Sequence, residues 1–138
     1  VLLQTRHPGH PLINALIHRG YQAFSDDCLR ERESLALPPF SHQALIRADA
    51  PRKDTVREFL EGLAKAITPT TSPKVMVLGP VPSPMERRGN RYRWQVLLQS
   101  PQRSELHRAI DSLRQHIRGD SRRWNVRWSI DVDPIDLY

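Results

Sequence analysis

From residue 40 onward the sequence predicts an α+β sandwich with its elements in the order β-α-β-β-α-β, on three observations. Two stretches, Val56–Ile67 and Leu106–Ile117, carry apolar residues at helical spacing. Two others, Arg91–Gln99 and Trp124–Val132, alternate with the period of two that puts successive side chains on opposite faces of a strand. Prolines and turn formers punctuate the intervals between them.

Taken in order, Val1 to Thr5 is a short apolar run read as a strand, followed by a turn over His7-Pro8-Gly9-His10-Pro11. Leu12, Ile13, Leu16 and Ile17 recur at helical spacing, and Gly20 stops that helix. Ser25 or Asp26 can cap a second helix running to about Leu35, polar enough to be solvated or to lie between domains. A first strand without a neighbouring partner is no stable unit. Residues 1–36 are therefore read as the edge of another domain, and 37–138 as a domain of their own. Pro38-Pro39 marks the junction, because each proline disfavours helix at the residue before it.

Gln43–Asp49 reads as the first strand of the sandwich. Val56, Phe59, Leu60, Leu63, Ala64 and Ile67 give the first amphipathic helix, and Thr68–Pro73 a loop. Val75–Leu78 is a short strand ended by Gly79-Pro80, and Pro80 to Asn90 a stiff loop tipped by a turn. In the third strand Tyr92, Trp94, Val96 and Leu98 point to the core, while Arg91, Arg93, Gln95 and Leu97 point away. Ser100 or Pro101 opens the second helix, whose stripe is Leu106, Ala109, Ile110, Leu113 and Ile117, with Gly119 as its end. In the last strand Trp124, Val126, Trp128, Ile130 and Val132 point inward, and Asn125, Arg127, Ser129 and Asp131 outward. The order is that of the ferredoxin-like split βαβ arrangement, a four-stranded antiparallel sheet with two helices on one face.

The 138 residues carry a formal charge of +6, and of the 21 basic residues only Lys53, Lys65 and Lys74 are lysines. Arginine presents a planar fork suited to phosphate and carboxylate, so nucleic acid is the first partner to consider. A GC-rich genome also raises arginine content without any such role. Cys28 is the single cysteine, which leaves no intramolecular disulfide and no zinc cluster and fits a reducing cytosol. No apolar run reaches the roughly 20 residues of a membrane span. Val1 in place of Met suggests a chain cut from something longer.

Arg91, Arg93 and Arg127 are expected to share the face of the sheet left open by the helices, joined by Arg47 if Ala44, Ile46 and Ala48 face the helices. Arg87 and Arg88 lie on the adjoining loop tip, and Arg122 and Arg123 precede the last strand. Such a set can neutralise phosphates; the alternative is a solvated or interdomain surface. Single-strand RNA binders of this topology stack bases on outward aromatics, but Tyr92, Trp94, Trp124 and Trp128 fall in the core phase, which points to backbone contacts instead. Arg103, in the first turn of the second helix, with His107 one turn on, makes a candidate anion site; an ordinary exposed arginine is the alternative. Asp131, Asp133 and Asp136 are better read as a solvated chain end than as a metal site. His7 and His10 are read as turn residues, and Cys28 lacks a base to make it a nucleophile. No G-x-x-x-x-G-K-[ST] string is present.

Several strings in order resemble one family. Val1–Thr5 with His7-Pro8-x-His10-Pro11-Leu12-Ile13, then Arg32 with Leu37-Pro38-Pro39-Phe40, are similar to the end of the second helicase lobe and the following junction in PriA-type replication-restart DNA helicases. Val77-Leu78-Gly79-Pro80-Val81-Pro82 with Arg91-Tyr92-Arg93-Trp94-Gln95, and Asp131-Val132-Asp133-Pro134, resemble that family's C-terminal domain. The resemblance implies a bacterial, cytoplasmic, ATP-driven 3′-to-5′ helicase whose ATP, Mg and Zn sites lie upstream of Val1, so that this part holds no cofactor and is not itself an enzyme. For this part it implies contact with branched or forked DNA and single strand, with other primosome proteins, and with the acidic C-terminal tail of single-stranded DNA-binding protein. Arg103 matches the family's basic residue for that tail's carboxylate; His107 stands where relatives can carry glutamine. The other reading is an interdomain docking module with no direct DNA contact.

Overall fold

The computed structural model describes residues 2–67 and 73–137, with the side chains of 118–124 outside the described ones. The chain divides into two compact units after Phe40.

The first unit is built on one helix, α1 (Pro11–Ser34). Pro11 occupies its first turn, where a missing N–H costs nothing. His10, expected only as a turn residue, is its N-cap: Nδ1 accepts from the Leu12 N–H at 3.3 Å. Gly20 breaks the helical path at φ 81 and ψ 177, a conformation open to glycine, and the helix resumes directly after it rather than at Ser25. Asp27 pairs with Arg19 and with Arg30, tying the two sides of the kink together. Residues 2–5, expected as a strand, form none. Among the described residues of this unit they have no second strand to bond to, which is the requirement a lone apolar run cannot meet.

The second unit runs β1 (His42–Ala50), α2 (Lys53–Ile67), β2 (Met76–Arg88), β3 (Arg91–Ser100), α3 (Arg103–Trp124) and β4 (Arg127–Val132). Its four strands lie in the order β2-β3-β1-β4, every neighbouring pair antiparallel. This is the ferredoxin-like sandwich. Ala44, Ile46, Ala48 and Ala50 of β1 and Trp94, Val96 and Leu98 of β3 form the sheet side of the core. Val56, Phe59, Leu60, Leu63 and Ile67 of α2 and Leu106, Ala109, Ile110, Leu113 and Ile117 of α3 cover it. The small residues of β1 leave room for two helices to approach the same strand.

Three boundaries differ from the expectation. α3 opens after Gln102, with Ser100 Oγ accepting the Gln102 N–H at 3.2 Å, and it continues past Gly119 to Trp124. Glycine inside a helix costs only about 1 kcal/mol relative to alanine, and the stop is Asn125, at φ 50 and ψ 38. Asparagine is the usual substitute for glycine in that left-handed position. Trp124 accordingly belongs to the helix and not to β4.

The largest difference is β2, which does not end at Gly79-Pro80 but continues to Arg88 beside β3. Prolines are excluded from central strands because they cannot donate; β2 is an edge strand, and its register slips between Leu78 and Val81 and again between Pro82 and Arg87. The stretch expected as a loop is thus a bulged edge. Gly89 (φ 54) and Asn90 (φ 61) close the hairpin, both with the positive φ of a type I′ turn. At the first slip Gly79 has φ 106, and a Cβ there would lie 3.0 Å from the Gln95 carbonyl oxygen and 3.1 Å from the Val81 nitrogen. Gly79→Ala is therefore expected to destabilise the second unit by about 1–3 kcal/mol, read as a lower urea midpoint with an unchanged slope, whereas Gly62→Ala, in α2 and with nothing within 4 Å of the added carbon, should not lower it.

Candidate nucleic-acid interface

On the face of the sheet away from the helices, the strand register sets the functional residues in rows. Arg93, Asp49 and Arg127 lie side by side on β3, β1 and β4. Two residues along, Gln95, Arg47 and Ser129 form the next row, and Leu97, Leu45 and Asp131 the one after. Val81 stands opposite Gln95, and Leu78 opposite Leu97, on β2. The face thus grades from a basic end to an apolar corner.

The arginines expected to act alike do not have like surroundings. Arg91 is committed internally: its Nε pairs with the Asp49 carboxylate and its Nη2 donates to the Asp49 carbonyl at 2.8 Å. Arg47 is also engaged, by Asp131 at 3.0 Å and by Asp136, whose carboxylate lies at 3.7 Å and whose carbonyl accepts at 3.3 Å. Arg93 and Arg127, in contrast, have no hydrogen-bond or ion-pair partner among the described residues. Together with Arg47, Asp49 and Ser129, and with Ala48 and Trp128 of the adjoining rows, they line an open concavity of about 230 Å³. Because Arg91 answers the charge of Asp49, the two flanking guanidiniums remain available to an anion.

Arg88 faces Arg91 across the hairpin. Arg87 stands opposite Tyr92, over whose ring its guanidinium lies at 5.5 Å, and donates to Asn90 Oδ1 at 2.7 Å. It is therefore on the other side of the hairpin from Arg88. The side chains of Arg122 and Arg123 lie outside the described ones. Trp94 is buried, and Tyr92 and Trp128 are half-buried against the core. Among the described residues, the rows of the open face hold no aromatic.

A second group stands at the start of α3, where Arg103 Nε donates to His107 Nε2 at 3.4 Å, both side chains exposed. One turn of helix brings them together as the spacing required. Beside them Arg108 pairs with Glu105 at 3.1 Å, so Arg108 is the less available cation of the turn.

The sequence pattern placed the arginines of the face and missed their partners: Asp49, and Asp131 and Asp136, expected as a solvated chain end but both engaged with Arg47; it also missed the contact of Gln95 Nε2 with the Leu137 carbonyl at 3.1 Å. The period-two pattern already placed Asp49 in phase with Arg47. Nothing in it said which carboxylate meets which arginine, since that depends on strand register.

The family described as "Primosomal protein N C-terminal domain" matches residues 33–135. Over 138 residues, 99% of the chain, the sequence is 41% identical to the replication restart protein PriA of Haemophilus influenzae. Over 137 residues it is 29% identical to the protein of the same name from Synechocystis sp.. The chain spans 18% and 16% of the length of those two relatives. Among solved structures, the de novo designed protein Foldit4 is similar with a TM-score of 0.51 at 15% identity, over 70% of this chain and 99% of that one. At that identity the likeness concerns the fold alone.

The division of the arginines is measurable as stability. Arg91→Ala strips a half-buried carboxylate of its partner and is expected to cost about 1–2 kcal/mol. Arg93→Ala removes no recorded interaction and should stay within about 0.5 kcal/mol. Equal urea midpoints for the two variants would contradict the assignment.

Proposed function

The chain belongs to the primosomal protein N C-terminal domain family, and from that membership we propose that it is the DNA-contacting, non-catalytic part of a bacterial cytoplasmic replication restart helicase. It engages branched or forked DNA, and single strand, through phosphates rather than bases. The observation that carries the reading is the pair of guanidiniums, Arg93 and Arg127, set on either side of Asp49 on the open face with no internal partner among the described residues. Arg88 extends the same side of the hairpin. A face of this kind binds polyanions, and its affinity falls with salt as counterions are no longer released to advantage.

With one cysteine and no phosphate-loop string, this stretch carries the donor set neither for zinc nor for a nucleotide of that type. ATP, magnesium and zinc are therefore assigned to other parts of the parent. Arg103 with His107 is the proposed seat for the carboxylate-rich tail of single-stranded DNA-binding protein, supported by the exposed guanidinium in the first turn of α3, where the helix dipole also favours an anion. Other primosome proteins are expected partners of the parent.

Two measurements test this. In electrophoretic binding to forked, duplex and single-stranded DNA, the Arg93→Ala/Arg127→Ala double variant should bind several-fold more weakly, with a log–log salt slope shallower by about 1–2. An unaltered affinity would transfer the face to the competing reading, an interdomain docking surface. Independently, Arg103→Glu in the full-length parent should weaken binding of an acidic C-terminal peptide while leaving fork binding in place; a peptide affinity equal to wild type removes Arg103 from that site.

A further inference from the structure

The face that the helices leave open is crossed by the chain's own closing segment. Asp133, at φ 52, turns away from β4, and its N–H donates to the Gln43 carbonyl at 2.8 Å on β1. Asp136 then meets Arg47, and the Leu137 carbonyl receives Gln95 Nε2 at 3.1 Å on β3. Leu137 also lines an apolar concavity of about 200 Å³ with Leu45, Leu78, Val81 and Leu97. Leu45 is only 1% exposed, although it sits on the side of β1 that no helix covers.

We infer that this segment is a built-in competitor for the sheet's anion site: it holds Arg47 in the place of a phosphate, and the complete site is Arg47 together with Arg93 and Arg127. The inference rests on the DNA-binding reading of the face. Beside the Asp131 carboxylate of β4, which is not part of the segment, the segment sets the Asp136 carboxylate and carbonyl against the Arg47 guanidinium, two oxygen acceptors that a phosphate group can replace one for one. Arg47 lies two residues along β1 from Asp49, the centre of the row that carries Arg93 and Arg127. That offset is about 6.8 Å along the strand, close to the step between successive phosphates of an extended nucleic-acid strand. The ionic part of the segment's hold is weak. Ile135 is 103% exposed, and the Asp136 side chain is 62% exposed, so its pairing with Arg47 is mostly in water, where such a pair contributes little. A polyanion carrying many phosphates can displace it; a single anion gains little by doing so.

The test compares the 138-residue chain with a version ending at Asp133, by fluorescence anisotropy of a labelled oligonucleotide across a salt series. The shortened chain should bind several-fold more tightly, with a salt slope steeper by about 0.7–0.9, one phosphate's worth. Adding Arg47→Ala to the shortened chain should cancel the gain. Equal or weaker binding by a folded shortened chain, while the Arg93→Ala/Arg127→Ala variant still loses affinity, overturns the competitor and leaves the DNA reading standing. Absence of binding by both lengths in dilute buffer overturns both. Should the shortened chain fail to fold, Asp136→Ala in the full chain decides: tighter binding upholds the competitor, and unchanged binding removes it.

Discussion

β1 bonds to β3 on one side and to β4 on the other, so its nine residues set the phase of three strands at once. Ala44, Ile46, Ala48 and Ala50 must face the helices, because only that phase offers a continuous apolar surface to α2 and α3. The opposite phase then has no freedom. Leu45, Arg47 and Asp49 appear on the open face, and the register carries Gln95 and Arg93 on β3, and Ser129 and Arg127 on β4, to either side of them. A slip of one residue would bury Arg47 and Asp49 against the helices and expose the alanines, at a cost in uncompensated charge that no packing could offset. The core of the sandwich thereby fixes the charge pattern of its outer surface.

Charge on that surface is sorted by the carboxylates rather than by the arginines. Asp49 takes Arg91, and Asp131 and Asp136 take Arg47. Of the arginines on that face, Arg47 and Arg91 are thus neutralised from within, which is why a count of arginines overstates the positive charge it presents. The bulged, proline-bearing edge of β2 adds to this economy. Its irregular register discourages another strand from pairing there.

The layout of strands and helices was legible because it depends on local periodicity, which 98 residues of alternating and helical spacing state repeatedly. β1, α2 and β3 sit within a few residues of where the pattern puts them. What was illegible depends on non-local facts. The second half of β2 looked like a loop because prolines veto a central strand, and only the topology reveals that β2 is at an edge. Trp124 fitted the alternation of β4, yet the helix reaches it because Asn125, not Gly119, supplies the left-handed turn. The apolar run Val1 to Thr5 looked like a strand, and among the described residues of its unit no strand stands to pair with it. Likewise Arg47, Arg91, Arg93 and Arg127 were equivalent in sequence and became distinct only when register brought aspartates to two of them.

The row Arg93–Asp49–Arg127 shows how such a face could discriminate without reading bases. Its two available guanidiniums stand on strands separated by β1, about 9.6 Å apart at two strand spacings. Between them lies a carboxylate, which would repel a phosphate centred on β1 were it not engaged by Arg91 from the side. Removing that engagement would not merely loosen the sheet; it would restore a negative charge in the middle of the row. The Asp49–Arg91 pair therefore does two things at once: it keeps the centre of the row close to neutral and holds the positive potential at the flanks. Under the proposed DNA-binding reading, a polyanion meeting this face would be sorted by the spacing of its phosphates, since among the described residues the rows present no aromatic ring for a base to stack on and the strands beneath fix the charge pattern.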